Sequence, residues 1–91
     1  MLLVKKSKKF KKDLKKILAN GNFQRDIFEN IVGALMTGAK LDERFFLHKL
    51  GGAYHGFFEC HVQPDVLLIY EFDEEAKKLY LLRIGSHSEL F

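Results

Sequence analysis

Cysteine and long apolar runs are scarce in this sequence, and each scarcity excludes a class of protein. The single cysteine, Cys60, excludes an internal disulfide framework. The longest apolar run spans residues 66–70, far short of the roughly 20 residues that a membrane-spanning helix needs. Lysines interrupt the N-terminal segment from Lys5 onward, so it lacks the continuous apolar stretch of a signal peptide. We therefore expect a cytoplasmic protein with no membrane partner.

No internal repeat, low-complexity segment or linker divides the chain. Its 91 residues can build one hydrophobic core but not two. Hydrophobic residues make up 47% of the chain and charged residues 30%, which is typical of a folded protein rather than a disordered one. We predict a single domain over residues 1–91.

Positive charge is concentrated at the start of the chain. Residues 1–20 hold eight lysines and one acidic residue, Asp13, for a net charge of +7 within a total of +3. Basic charge gathered on one element is what neutralising a phosphate backbone requires. The alternative is a solvated helix face that only aids solubility.

The spacing of apolar residues predicts an α+β fold. Ser7 is a helix N-cap candidate, an apolar stripe follows it, and Asn20-Gly21 closes this first helix. A second helix is expected over residues 23–37 and ends at Gly38. Strands are expected over residues 2–4, 57–62, 66–72 and 78–84, with a long connection over residues 39–52. The two helices should form an antiparallel pair on one face of a mainly antiparallel sheet of about four strands.

Four titratable side chains in the second half are candidate acid–base residues. They are His48, His61 and His87, together with Asp65 after the Pro64 turn. Histidine can give or take a proton near neutral pH, which favours acid–base chemistry on a polyanion. We expect His61 and Asp65 to face each other across the turn. Structural alternatives stay open for each: a packed loop histidine at position 48, a turn-forming aspartate, and a frayed end at position 87.

Arg83 and Cys60 are assigned different roles. The Arg83 guanidinium suits two-pronged binding of a phosphate, or else pairs with a surface carboxylate. On a strand, Cys60 points away from His61, so we interpret it as core filler rather than as a nucleophile. No pair of ligands has a compact metal-knuckle spacing, and we expect neither a metal site nor a cofactor.

Two segments of the C-terminal half closely resemble the YafQ-like branch of the RelE/ParE toxin superfamily. Residues 59–70 carry a histidine, a Pro-Asp turn and an apolar strand, and residues 82–91 carry Arg, Gly, Ser and His before Leu-Phe. The segment from His48 to Gly51 also matches the family's His-x-Leu-x-Gly pattern. The basic first helix and the length agree, so the resemblance spans essentially the whole chain.

The resemblance implies a small bacterial toxin of a type II toxin–antitoxin system, with the microbial-ribonuclease-like RelE fold. Such toxins cut mRNA on the translating ribosome without a metal, and a cognate antitoxin that wraps them silences them. The family's catalytic positions fall on His48, His61, Asp65 and His87. The candidates for contact with RNA or its phosphates are Arg83, Phe91, Lys49, Lys8, Lys9 and Lys12.

Metal-free RNA cleavage needs a base for the 2′-OH proton, an acid for the departing 5′-oxygen and positive charge for the transition state. As a hypothesis, we assign His48 as the base and His87 as the acid. His61 and Asp65 would then orient the reactants and stabilise charge. The histidine roles are exchangeable, because coupled titrating groups resist individual assignment.

Two residues depart from the family pattern. Phe58 and His55 stand where an arginine or lysine is common, so phosphate binding depends on the remaining cations. Phe58 either offers a face for base stacking or packs in the core. Two other functions stay open: a non-enzymatic, gyrase-poisoning ParE-like toxin, and an inert domain that binds RNA or an antitoxin. ParE members lack the His/Asp/His set, so the residues favour the nuclease.

Overall fold

The structure, a computed structural model that describes residues 2–91, confirms the α+β fold. Its sheet has five strands in the order β1-β5-β4-β3-β2, instead of about four. The strands are β1 (Leu3–Lys6), β2 (His48–Lys49), β3 (Phe58–Gln63), β4 (Val66–Asp73) and β5 (Lys78–Gly85), and the helices are α1 (Lys8–Leu18), α2 (Arg25–Thr37) and α3 (His87–Leu90). β1 runs parallel to β5, and the other neighbouring strands are antiparallel. None of these helices is long and apolar enough to cross a membrane.

Local signals set the ends of the two long helices. The Ser7 hydroxyl oxygen accepts a hydrogen bond from the Phe10 N–H at 2.9 Å, as expected of an N-cap. The same hydroxyl donates to the Leu82 carbonyl at 2.6 Å, which fixes the start of α1 beside β5. Gly38, with φ of 77°, ends α2 in the left-handed conformation.

One face of the sheet packs against α1 and α2, and we call it the helix-side face. Phe10 of α1 and Phe28 of α2 stack there with ring centroids 6.2 Å apart. Every second residue of the central strands joins them in one buried cluster, which includes Cys60, Val62, Leu68, Tyr70, Leu79, Leu81 and Ile84. This face therefore carries the main hydrophobic core.

The opposite face, which we call the open face, has only a small apolar cluster. Leu67 and Ile69 of β4 are covered there by Leu90 of α3. A register shift beside Ile69 gives β5 one extra residue, and Arg83 consequently lies opposite Ile69. The bulge thus sets which residues of β5 share the open face with β3.

Alternation along β3 decides two of the predictions. Cys60 is fully buried on the helix-side face, and burial raises the pKa of its thiol to about 12, so it is not a nucleophile at neutral pH. Phe58 stacks on Tyr70 with centroids 5.8 Å apart and packs against the main core. Phe58 is therefore a core residue rather than a surface for base stacking.

Candidate active site

The strand register aligns three polar side chains and Ile69 in one row across the open face. His48 lies opposite Glu59, Glu59 opposite Ile69, and Ile69 opposite Arg83. Directly opposed residues of antiparallel strands point to the same face. His61 is two residues after Glu59 on β3 and therefore shares this face. The sheet thus gathers two of the predicted histidines around a carboxylate.

His48 has an oxygen at both ring nitrogens. Its Nδ1 lies 3.1 Å from the Phe46 carbonyl oxygen, and its Nε2 lies 3.0 Å from Glu59 Oε1. A carbonyl oxygen only accepts hydrogen bonds, so the Nδ1–H group of His48 is the donor in its hydrogen bond to Phe46. These contacts therefore hold the His48 ring in one orientation beside Glu59.

Glu59 is the functional candidate that the sequence interpretation missed. It is 4% exposed and is the one buried charged residue within residues 2–91. Its Oε1 also lies 3.7 Å from Nε2 of His61, so one carboxylate oxygen contacts both imidazoles. The sequence could have identified Glu59, because it lies two positions before His61 on a predicted strand and therefore shares the face of that histidine.

The expected contact between His61 and Asp65 is wrong. Among the described residues, no ion pair or hydrogen bond joins them, and His61 contacts Glu59 instead. The reason is a register shift between His61 and Gln63, after which Asp65 occupies the exposed tip of the hairpin. Asp65 therefore lies at the edge of the cluster rather than within it.

The C-terminal segment docks on the open face. Ser86 and Glu89 form a capping box that starts α3, and the Tyr54 hydroxyl donates to the Leu90 carbonyl at 3.2 Å. Phe91 packs edge-on against Tyr54 at 5.4 Å and lies 5.0 Å from the His87 ring. The interpretation of a frayed end is therefore wrong. Gly85, two residues before His87, lies opposite Leu67 of β4, and Leu67 lies opposite His61 of β3. His61 and Gly85 are therefore two strand spacings apart, about 10 Å.

Lys16 of α1 ties this tail to the body. Its Nζ lies 2.7 Å from Glu89 Oε2. This ion pair, with the capping box, lowers the pKa of Glu89 to about 2, and the same contact raises the pKa of Lys16. The carboxylate is charged at any physiological pH, so the tether persists there.

Arg83 is engaged by Asp13 rather than by a glutamate. Its Nε and Nη2 donate to the two carboxylate oxygens at 2.6 and 3.1 Å, and both side chains are about four-fifths buried. This bidentate pair raises the pKa of Arg83, with a smaller contribution from Tyr54. A phosphate at Arg83 would have to share the guanidinium with Asp13.

The lysine candidates are separated from the histidines. Lys8, Lys9 and Lys12 are exposed on α1, which packs against the helix-side face. Lys49 follows His48 on β2 and points to the helix-side face, where its Nζ lies 6.0 Å from the centre of the Phe58 ring. These cations lie outside the His48–Glu59–His61 cluster.

Phe46 has an unusual backbone beside the cluster. It follows the short 3-10 helix Glu43–Phe45, with φ of 49° and ψ of 50°, in the left-handed region. A non-glycine residue in that region costs about 1–3 kcal/mol. Its ring is 65% exposed and lies 5.5 Å from the His61 ring.

The chain matches the family model described as the bacterial toxin of type II toxin–antitoxin systems, YafQ, over residues 2–91. A metal-bound toxin from Helicobacter pylori is similar over 100% of both chains, with 44% identity and a TM-score of 0.93. YafQ in the Escherichia coli DinJ–YafQ complex is similar over 100% of this chain and 99% of that chain, with 26% identity and a TM-score of 0.85.

A sequence relative carries an activity in its name. The mRNA interferase toxin YafQ of Escherichia coli K12 is 41% identical over 44 residues, which are 48% of this chain and 46% of that protein. The chain spans about half the length of the relatives that it matches by sequence, with covered shares of 59% and 46%.

The similar toxin from Helicobacter pylori is metal-bound. Between residues 2 and 91, no three His, Cys, Asp or Glu side chains are arranged to hold a metal ion. His48, Glu59 and His61 instead direct their polar atoms at one another.

Proposed function

This chain belongs to the YafQ family of bacterial toxins of type II toxin–antitoxin systems, and from that membership we propose that it is an endoribonuclease that cleaves mRNA on the ribosome. The proposal places it in the cytoplasm, where mRNA and ribosomes meet. One relative of the same family is named an mRNA interferase toxin. The substrate, the ribosome and the site residues are proposals for this chain.

The His48–Glu59–His61 cluster is the observation that carries the proposal. Its contacts of 3.0 and 3.7 Å hold two imidazoles and a carboxylate on the exposed side of the sheet. His48 keeps 53% of its side chain exposed, so an RNA ribose can reach it, whereas Glu59 is buried behind it. A buried carboxylate that orients an accessible imidazole is the arrangement used in general acid–base catalysis.

The reaction follows from these groups. With Nδ1–H donating to the Phe46 carbonyl, His48 Nε2 takes the proton from a ribose 2′-OH, and the Glu59 carboxylate beside it stabilises the imidazolium that forms. The 2′-oxygen then forms a bond to phosphorus while the bond from phosphorus to the 5′-oxygen breaks. The His87 imidazolium gives its proton to that 5′-oxygen, which leaves a 2′,3′-cyclic phosphate and a 5′-hydroxyl.

His61, Arg83 and Asp65 complete the proposed site. His61 is 30% exposed beside the carboxylate and stabilises charge on the transferring phosphoryl group. Arg83 supplies positive charge from the far end of the row, where a phosphate would share its guanidinium with Asp13. Asp65, at the hairpin tip, orients RNA that extends past β3.

A cognate antitoxin is the proposed regulatory partner. The Escherichia coli relative forms a complex with DinJ. In this chain the lysines of α1 present a positive surface that suits an acidic segment folding on contact. The affinity of the complex should fall as salt rises, since exposed charges are screened within about 10 Å at 0.1 M. A salt-independent affinity would contradict this electrostatic surface.

The deciding experiment compares cleavage of mRNA on programmed ribosomes by the wild type and by His48→Ala, Glu59→Gln, Asp65→Ala and His87→Ala. We expect losses of about 10²-fold or more in His48→Ala, Glu59→Gln and His87→Ala. Circular dichroism serves as the folding control. Cutting that survives all four substitutions would eliminate the site.

Two further measurements distinguish the nuclease from the other candidate functions. Gyrase inhibition without RNA cleavage would assign the ParE-like activity, and binding of RNA without cleavage would assign an inert domain. Cleavage is also measured in a chelator, where the proposed acid–base site predicts an unchanged rate. A rate that returns only on adding a divalent cation would contradict it.

A further inference from the structure

We propose that Phe46 is a stacking platform for an unpaired nucleobase of the substrate, next to the scissile phosphate. The inference rests on the proposed ribonuclease function and names a recognition residue for it. Its support comes from the exposure and backbone of Phe46, from its contacts with both histidines, and from the cavity beside it.

Phe46 is held in a conformation that its side chain disfavours. Within residues 2–91, only Phe46 and Lys77 are non-glycine residues with positive φ. Lys77 lies in the hairpin turn between β4 and β5, where positive φ is ordinary. The position after a short helical turn is usually a glycine or asparagine, so a bulky aromatic residue there needs another explanation.

The side chain gains little from packing. Its ring is 65% exposed, and it lies outside both hydrophobic clusters. The neighbouring Phe45, by contrast, packs against the main core. Burial therefore explains Phe45 and leaves the ring of Phe46 without a structural role.

Phe46 contacts both imidazoles of the cluster. Its carbonyl accepts the hydrogen bond from His48 Nδ1 at 3.1 Å, and its ring lies 5.5 Å from the ring of His61. A base stacked on this ring would place its ribose and phosphate next to His48 and Glu59. Stacking on exposed aromatic rings is how proteins hold single-stranded RNA without reading a fixed sequence.

A small cavity lies beside the ring. It measures about 200 Å³ and is lined by Phe46, His61, Pro64, Arg44 and Gln63 among others. This volume is below the roughly 300 Å³ at which pockets begin to hold drug-sized ligands. Arg44 makes no ion pair among the described residues and lies over the Phe45 ring at 4.8 Å, so its charge is available to a phosphate.

Gln63 makes the wall of this cavity rigid. Its Oε1 accepts from the Gln24 N–H at 2.7 Å, and its Nε2 donates to the Asn22 carbonyl at 3.1 Å. Both ends of the amide are satisfied by the backbone that leads into α2. The wall therefore presents a fixed surface, which favours a flat, rigid ligand such as a base.

The absence of tryptophan from the chain gives a direct test. Phe46→Trp introduces one indole, whose fluorescence should be quenched by a base that stacks on it. The probes are 2′-O-methylated hexamers of each of the four bases, which the proposed mechanism cannot cleave, and an abasic hexamer of the same charge. We expect quenching by at least one base-bearing hexamer and none by the abasic one. Equal quenching by the abasic hexamer, or none by any hexamer, would overturn the proposal.

A series of substitutions separates stacking from structure. We expect Phe46→Leu and Phe46→Gly to weaken hexamer binding about 5- to 150-fold and to lower the cleavage rate at limiting RNA. Phe46→Tyr should keep both. Phe46→Gly should melt at or above the wild-type temperature, because glycine relieves the left-handed backbone. A lower melting temperature for Phe46→Gly, together with full recovery in Phe46→Leu, would instead indicate a packing role. Leu47→Ala is the matched control, since Leu47 is a neighbouring exposed residue outside the cavity.

The stacking proposal and the nuclease proposal fail separately. Quenching by base-bearing hexamers without cleavage of any mRNA would keep the stacking site and remove the nuclease. Normal cleavage by Phe46→Leu, with no quenching in Phe46→Trp, would keep the nuclease and remove the stacking site.

Discussion

The two faces of the sheet are built from the same strands but serve different purposes. The helix-side face is apolar and closed, with Cys60, Leu68 and Leu79 each fully buried beneath the helices. The open face is covered in part by α3 and by Tyr54 and Phe57. Its row of opposed residues begins at the exposed His48 and ends at Arg83. A strand can therefore support stability with one set of side chains and chemistry with the next.

This division is sharpest on β3, where neighbouring residues have opposite environments. Glu59 and His61 belong to the candidate site, and Cys60 between them belongs to the core. Apolar packing on one side fixes the backbone, and the polar side chains on the other side are positioned as a consequence. Substitutions on the two sides should consequently affect different measurements.

The largest expected effect is on the open face. Glu59→Gln keeps the shape of the side chain but removes the charge that faces His48 and His61, so cleavage should fall about 10²- to 10⁴-fold. Single-turnover cleavage on programmed ribosomes measures it. The control is Glu71→Gln, a glutamate of β4 outside the cluster. Equal rates for Glu59→Gln and Glu71→Gln would show that the buried carboxylate takes no part in the reaction.

On the helix-side face the expected effect is on stability. Leu68→Ala empties a fully buried position, and the free energy of unfolding should fall by about 2–5 kcal/mol. Urea denaturation measures the change. Leu3→Ala, at a residue that is 68% exposed, should stay within about 0.5 kcal/mol of the wild type. Similar losses of unfolding free energy in the two variants would show that Leu68 is not part of the hydrophobic core.

A smaller effect is expected where the two faces are joined. Asp13 of α1 makes a bidentate contact with Arg83, and Asp13→Asn should cost about 1.5–3 kcal/mol, the usual range for hydrogen bonds to charged groups. The substitution also frees the guanidinium, so RNA should bind at least as tightly as to the wild type. Weaker RNA binding in a folded Asp13→Asn variant would mean that the pair holds Arg83 in its productive orientation.

The smallest effect is expected from the tether between Lys16 and Glu89, because both side chains are largely exposed. The pKa of Glu89 is lowered from 4.5 to about 2, so its stabilising contribution is fully present above pH 4.5 and is lost as pH falls through about 2. Lys16, whose pKa is raised, contributes below pH 10.5 and loses its contribution above that value.

Melting curves of the wild type and Glu89→Gln from pH 2 to pH 7 test this tether. The difference in melting temperature should be largest near neutral pH and should vanish toward pH 2. A difference that is constant across this range would assign the effect of Glu89 to its hydrogen bonds with Ser86 rather than to its charge.

Patterns that repeat along the chain predicted most of the fold. The apolar stripe that contains Phe10 gave the first helix, and Ser7 and Gly38 marked helix ends correctly. β2 was missed because a strand of two residues, His48–Lys49, is too short to show any alternation. α3 could have been found, since Ser86 and Glu89 have the spacing of a capping box.

The candidate site was less predictable, because its contacts depend on register. Alternation alone separates Glu59 and His61 from Cys60, but only the pairing of β2 with β3 brings His48 to Glu59. The His61–Asp65 prediction failed at a register shift, which a residue pattern does not reveal. The ion pair between Asp13 and Arg83 joins positions 70 apart, and nothing in the local sequence indicates it.

The parallel pairing of β1 with β5 has a consequence for the order of assembly. Ser7, where β1 turns into α1, finds its partner Leu82 only 75 positions later. At synthesis rates of about 5–20 residues per second, β5 is synthesised roughly 4–15 s after β1. Because β5 also carries Arg83 and leads into His87, a nascent chain that lacks this strand lacks part of the proposed site. Late strand pairing would thus delay the proposed activity until β5 has been synthesised and has paired with β1.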